Sequence, residues 1–199
     1  MSALARRIQK RLESLYGLET PDVTPFLRPA NDGREVLQIR ESGGELEIGL
    51  YLPEEAFEAR TPSSLDLLCQ VAEGVSHFVY LVERSRRRLP TTQLELELQA
   101  EVDKFIVLAG SVVASRPCGS FPPHAASALR ERLFGRVHFL HPKGTQPGER
   151  YRLANDLAAR FVRRLDGKLD RTADDKAMRQ LRRFHAGGQR EKIEMAMAA

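Results

Sequence analysis

Hydrophobic residues recur along this chain at two spacings, and the change between them marks out the elements. Leu4, Ile8, Leu12 and Leu15 follow one another every three or four residues. That spacing puts them on one side of a helix over residues 2–16, which Ser2 can cap and Gly17 can end. Glu19–Gly33 contains Pro21, Pro25 and Pro29 and reads as loop with one short helical turn. From Arg34 to Leu52 the period falls to two around Ser42-Gly43-Gly44-Glu45, whose Gly-Gly centre suits a two-residue turn needing positive φ. Such a turn sets Ile39 against Ile48 and Leu37 against Leu50 on the buried side. Arg40 then lies opposite Glu47, and Val36 opposite Tyr51, on the other side. An isolated hairpin is marginal, so this one must lean on helices or gain a third strand.

After the hairpin the helical period returns. Pro53 can open a short helix ending near Arg60, and Thr61-Pro62-Ser63-Ser64 starts a long one running to about Arg86. Its stripe is Leu65, Leu68, Ala72, Val75, Val79 and Val82. Thr91–Ala114 is the centre of the architecture. Thr92 and Glu95 have the Thr-x-x-Glu spacing in which two side chains satisfy opening backbone N–H groups. At roughly 100° per residue, Leu94, Leu98, Val102, Phe105 and Ala109 share a face, with Leu96, Ala100 and Val107 nearly opposite. Only Glu97, Glu101 and Lys104 remain as a polar seam, so this helix should lie between two layers.

Beyond a breaker-rich loop at Arg116–Pro123, a helix from about His124 is expected to carry Leu129, Leu133, Val137 and Leu140, in preference to a short strand at Val137–His141 after Gly135. Pro142–Gly148 is a turn, and a helix through Tyr151, Ala154, Leu157, Ala158, Phe161 and Leu165 closes at Gly167. From Thr172 a last helix is interrupted at Gly187-Gly188, with Met178, Leu181 and Phe184 before the break, Ile193, Met195 and Met197 after it, and a frayed end. The pattern predicts a mainly helical α+β fold of about six helices around a central buried helix, with one β-hairpin near the N-terminus. Residues 1–199 read as a single domain: 1–62 hold the N-terminal helix and hairpin, and 63–199 the helical portion with basic C-terminal helices.

Composition narrows the class. With 42% apolar residues in 199, one substantial core is within reach without disulfides or a metal. Cys69 lies in an apolar helical run and Cys118 in a Pro/Gly loop, so they form no disulfide framework or ligand cluster, and a reducing cytoplasm fits. The first residues are too charged for a signal sequence, and the apolar run near Phe105–Ala114 is far short of the roughly 20 residues that cross a bilayer. No membrane role is expected. Charge is uneven: 12 basic and 16 acidic residues precede Ala100, while 19 basic and 11 acidic residues follow from there on. A surface for an acidic partner and plain solvation both fit that asymmetry.

Candidate chemistry is sparse. The spacings of Gly-x-Ser-x-Gly, paired Cys-x-x-Cys, His-Glu-x-x-His, Gly-x-Gly-x-x-Gly and the phosphate loop are all missing, so neither cofactor nor metal is expected. Glu73 and His77 stand at i, i+4, a spacing that can begin a metal site but more often makes an ion pair, and His138 and His141 lack a completing ligand. A short basic loop, SRRRLP, joins the two long helices and favours antiparallel packing. It suggests an ion network of Arg84, Glu97, His77 and Glu101, structural first and catalytic second. The candidate catalytic residues are therefore Glu73, His77, Glu97 and Glu101. Arg150, Arg152, Arg160, Arg163 and Arg164 share the polar face of the helix that closes at Gly167. Of these Arg160, Arg163 and Arg164, with Arg182 and Arg183 further on, are the candidates for binding nucleic acid. Three functions compete: a non-catalytic interaction or accessory protein with a protein partner, a nucleic-acid-binding protein using the basic C-terminal helices, and an enzyme with a Glu/His site. The first is preferred, because strong structural signals come without catalytic ones.

Overall fold

The structure, a computed structural model, describes residues 3–42, 45–58, 62–115, 121–165 and 175–198. It is a mainly helical α+β protein, with eight α-helices and a three-stranded mixed sheet among the described residues. The excess over the expected helix count comes from a single-turn helix after the hairpin and from Gly187-Gly188, which separates two helices rather than kinking one. By contact the chain divides into two compact units, Met1–Pro90 and Thr91–Ala199.

In the first unit, α1 (Ala3–Tyr16) ends where Gly17 takes φ 69° and the Leu18 N–H reaches back 2.9 Å to the Glu13 carbonyl. Its Leu4, Ile8, Leu12 and Leu15 are buried against the long helix α3 (Leu65–Arg86). Gln9 and Glu13, both buried, latch the proline-rich segment to α1. Gln9 donates to the Pro21 carbonyl and accepts the Val23 N–H at 3.0 Å, while Glu13 accepts both the N–H and the hydroxyl of Thr20. So fixed, the segment makes a 3-10 turn at Thr24–Phe26 and then β1 (Leu27–Pro29), which pairs in parallel with β3 (Glu45–Leu52).

Strand β2 (Val36–Ser42) pairs antiparallel with β3 in the register that a two-residue turn demands: Val36 with Tyr51, Leu37 with Leu50, Ile39 with Ile48 and Arg40 with Glu47. The turn itself, Gly43-Gly44, lies outside the described residues. The hairpin gains a third strand, one of the two supports open to it. Its inner face differs from expectation, since only the base is buried: Leu50 is covered, whereas Ile39 is 43% exposed. The cause is where α3 (Leu65–Arg86) meets the sheet. At Gly74 a Cβ would lie 2.7 Å from Leu50 Cδ1, so the close approach is at the base, and the tip of the hairpin runs on past it.

A single turn, α2 (Glu55–Glu58), precedes α3, whose Ser64 cap accepts the Leu67 N–H at 3.1 Å. In place of one apolar stripe, α3 is buried nearly all round from Val71 to Tyr80, because α1 covers one side and the sheet another. By length and composition α3 alone among the described helices could cross a membrane, but 61% of the apolar window is buried, as in a core helix. Its basic end is held locally, with Arg87 2.6 Å from Glu83 and Arg86 donating to the Glu19 carbonyl.

The second unit opens with α4 (Gln93–Ala114), where both bonds of the predicted capping box form, at 3.2 and 2.8 Å. Residues 94–102 are helical, and the helix continues past Ala109. Helix α5 (Pro123–Arg130) runs into a π turn, Glu131–Gly135, and stops there. The helix predicted through Val137 and Leu140 is absent, and Leu140 is 63% exposed, because the π turn and Gly135 break the periodicity before those residues can join the buried face. Helix α6 (Gln146–Arg163), capped by Thr145, packs on α4 and on α8 (Gln189–Met197), while α7 (Asp175–Ala186) also adjoins α8. The predicted stop at Gly167 and start at Thr172 fall outside the described residues. Inside α8 the expected face is wrong. Met197 is 56% exposed, and the buried positions are Lys192 and Ala196, because Lys192 finds a full set of partners inside.

Burial works to raise the Glu13 carboxyl, but the hydrogen bonds from Lys10 and Thr20 outweigh it and hold it below the usual carboxylate value. A depressed carboxyl stabilises the fold above its unfolded-state value, and that contribution is lost as pH falls through the lower, folded value. Glu13→Gln is therefore expected to lose about 1–3 kcal/mol at neutral pH. Urea unfolding at neutral and at acidic pH checks this: the deficit against wild type should shrink toward about zero as Glu13 itself protonates.

Candidate functional site

Helix α3 carries Glu73 and His77 one turn apart, and the absence of a side chain at Gly74 lets Glu35, just before β2, come over the same turn. The Glu35 carboxylate lies 3.4 Å from His77 Nδ1, with both side chains about nine-tenths buried. A Glu73 oxygen and a His77 ring nitrogen are within 4.8 Å of one another. The Glu35 N–H is tied in turn to Gln70 Oε1 at 3.3 Å. Carboxylates beside an imidazole fix the ring's orientation and the nitrogen that carries its proton, an arrangement shared by ion pairs and by acid/base sites. Glu35 was not a sequence candidate. It takes a polar place at the start of the hairpin run, and only the close approach at Gly74 brings it to α3. Arg84 donates through Nε and Nη2 to the Pro90 carbonyl at the end of the same unit and lies 5.8 Å from the Tyr80 ring centre.

Glu97 and Glu101 belong to the second unit, and Arg84 and His77 to the first, so the network expected from sequence draws its members from both units. Lys104 serves Glu101 at 2.8 Å, as the spacing suggests. Glu97 meets Arg150 of α6 at 3.9 Å, and its residue is only 8% exposed.

A larger polar centre in this unit has no counterpart among the sequence candidates. Lys192 of α8 is fully buried, with Nζ 2.5 Å from Gln99 Oε1, 2.7 Å from the Phe184 carbonyl and 4.4 Å from the Phe184 ring centre. Gln99 passes the chain of hydrogen bonds on to Asp103 at 3.0 Å, both being buried. Gln99 and Asp103 are four residues apart on α4, between the two apolar faces on the side away from the seam, and nothing in their spacing separates them from solvated residues. Donors and acceptors here are matched to one another, so the arrangement clasps α8 and the end of α7 to α4.

Among the arginines, Arg160 and Arg163 are exposed on α6, and Arg182 and Arg183 on α7; Arg164 is half-buried, 5.9 Å from the Phe161 ring centre. Phe161 and Phe184 stack at 4.0 Å, which brings the basic stretches of α6 and α7 to one contact. Arg150 and Arg152, expected on the same polar face, are half-buried and held by neighbours. Arg150 packs 5.5 Å from the Tyr151 ring centre, and Arg152 donates to the carbonyls of His141 and Gly148. His138 and His141 do not share a helix face, since their segment is irregular; His141 stacks on Tyr151 at 5.4 Å and 15°.

The clasp makes a stability prediction. Lys192→Ala is expected to lose about 3–5 kcal/mol, as removing one partner of a buried charged network does. Lys192→Met, which keeps the volume beside Phe184, should lose less, and equilibrium unfolding of the two variants checks the order. A loss for Lys192→Ala within about 0.5 kcal/mol of wild type would contradict the clasp. No protein-family model matches this chain, no characterised protein matches it, and no solved structure matches it.

Proposed function

We propose that this is a non-catalytic interaction or accessory protein of the cytoplasm, which binds an extended segment of a protein partner along the free edge of β2. The observation that carries the reading is the contrast between the two edges of the sheet. β1 is three residues long and ends at Pro29, the kind of edge that resists pairing. β2 runs seven residues without proline or bulge, and carries Val36 and Ile39 at 47% and 43% exposure. With Ser42 paired to Glu45 and the ladder alternating from there, the N–H and C=O groups of Leu37 and Ile39 point away from β3. Such an edge suits strand addition, in which main-chain bonds supply affinity and alternate side chains supply specificity.

Proline at an outward-facing edge position removes a donor without breaking the ladder. Extended peptides selected from a random display library on the whole chain should therefore bind wild type and lose about tenfold or more on Ile39→Pro, with the melting temperature kept. Peptides that bind Ile39→Pro as well as wild type, or a selection that yields only self-association of the chain, would overturn the assignment.

A second reading, nucleic-acid binding, is favoured by the Phe161–Phe184 stack, which gathers the basic stretches of α6 and α7. Binding of this kind should weaken steeply between low and moderate salt through counterion release, and Arg160, Arg163 and Arg164 to Glu together should reduce it strongly. Fluorescence anisotropy with a labelled oligonucleotide checks both; no association near 50 mM salt, about the most permissive condition, removes the reading.

A further inference from the structure

Between the π turn and α6, residues 136–145 form no helix or strand, yet the segment is tied at its start to the π turn and at its end to α6. Asn155 donates to the Phe134 carbonyl at 3.2 Å, and Arg152 to that of His141 at the same distance. Glu149 accepts the Gly144 N–H at 2.7 Å, and the Thr145 hydroxyl donates to the Pro142 carbonyl at 2.7 Å. At Gly148 a Cβ would lie 2.0 Å from the Pro142 oxygen, so the loop is seated directly on the first turn of α6.

This loop exposes His138, Leu140, His141 and Lys143, above the half-buried Arg150 and Arg152. His141 is exposed with its ring stacked on Tyr151, Arg150 packs on Tyr151 as well, and Arg152 lies 4.6 Å from the Phe139 ring centre. Lys143, also exposed, forms no ion pair among the described residues, and Leu140 and His138 are exposed beside it. A compact surface loop held by side chains of its scaffold, with its own large side chains turned outward, is a frequent form of binding loop.

We infer that this loop is a site for single-stranded nucleic acid, in which an unstacked base lies on the His141 ring and a neighbouring phosphate meets Lys143. The inference rests on the nucleic-acid reading and extends it to residues other than the arginines of α6 and α7. An imidazole supported by a phenol ring offers a π face that any base can use, and a cation two residues along offers the charge that a phosphate needs. An acidic peptide would use the charge and leave the stacked rings without a role. A duplex keeps its bases stacked inside, so it would reach Lys143 alone.

Anisotropy titrations at low salt with three labelled probes of equal length test the inference: an oligothymidylate, the same backbone without bases, and a duplex. His141→Ala should weaken the oligothymidylate about tenfold or more, the scale of one base–aromatic stack, and leave the abasic strand unchanged. Lys143→Gln should weaken both single strands. Because both side chains are exposed, the melting temperatures of the variants should match wild type. Equal binding of abasic and base-bearing strands, a preference for the duplex, or an unchanged affinity in His141→Ala would overturn the inference. If the arginine variants on α6 abolish binding while His141→Ala does not, the nucleic-acid reading stands and this site falls. If no probe binds wild type, both fall.

Discussion

The interior of α4 sets the conditions for the second unit. From Leu98 to Ala109 all but one residue is buried, and among them are Gln99, Asp103 and Lys104. Polar groups removed from water on a helix must find partners in the elements packed on it, or each costs free energy comparable to a lost hydrogen bond. Lys104 answers Glu101 on the same helix, but Gln99 needs Lys192 from α8 and Glu97 meets Arg150 from α6. Helices distant in sequence are thus tied to α4 by specific polar contacts as well as by apolar packing. Lys192 reaches the Phe184 carbonyl in the same step, which fixes the end of α7.

A comparable constraint governs the first unit in backbone form. Gly74 brings α3 against the base of the sheet, and the same approach delivers Glu35 to His77 and leaves the tip of the hairpin uncovered. One missing side chain therefore links the buried imidazole pair to the exposed strand β2. Proline-rich segments seldom add strands, and β1 pairs because Gln9 and Glu13 hold the residues before it, leaving only three residues free to join β3. That is why one edge of the sheet is short and the other long.

The surfaces proposed for recognition share a physical origin. Strand β2 and the loop after the π turn are positions where rigid neighbours hold the backbone but do not cover the side chains. Ordering a side chain or a loop on binding costs conformational entropy, and elements already fixed by the fold avoid most of it. The candidate acids and imidazole lie instead beside charged neighbours within their own units: Glu35 next to His77, Lys104 next to Glu101 and Arg150 near Glu97.

What the sequence by itself determined were features that depend on neighbours along the chain. The Thr92–Glu95 capping box, the Ser42–Glu45 register, the stop at Gly17 and the break at Gly187-Gly188 all follow from steric and hydrogen-bonding rules spanning a few residues. Helix α4 was legible as the buried element because it is apolar on two sides. Tertiary structure alone decided which polar residues go inside. Lys192 lies beside an apolar stripe that stays half exposed, and Glu35 takes a polar place at the start of the hairpin run, yet each is placed by a partner many residues away. Periodicity records only the average polarity of a face, so it missed a lysine whose charge is met by a carbonyl, an amide and a ring. It also carried the helix of α5 past Gly135, where local backbone geometry rather than hydrophobic spacing ended it.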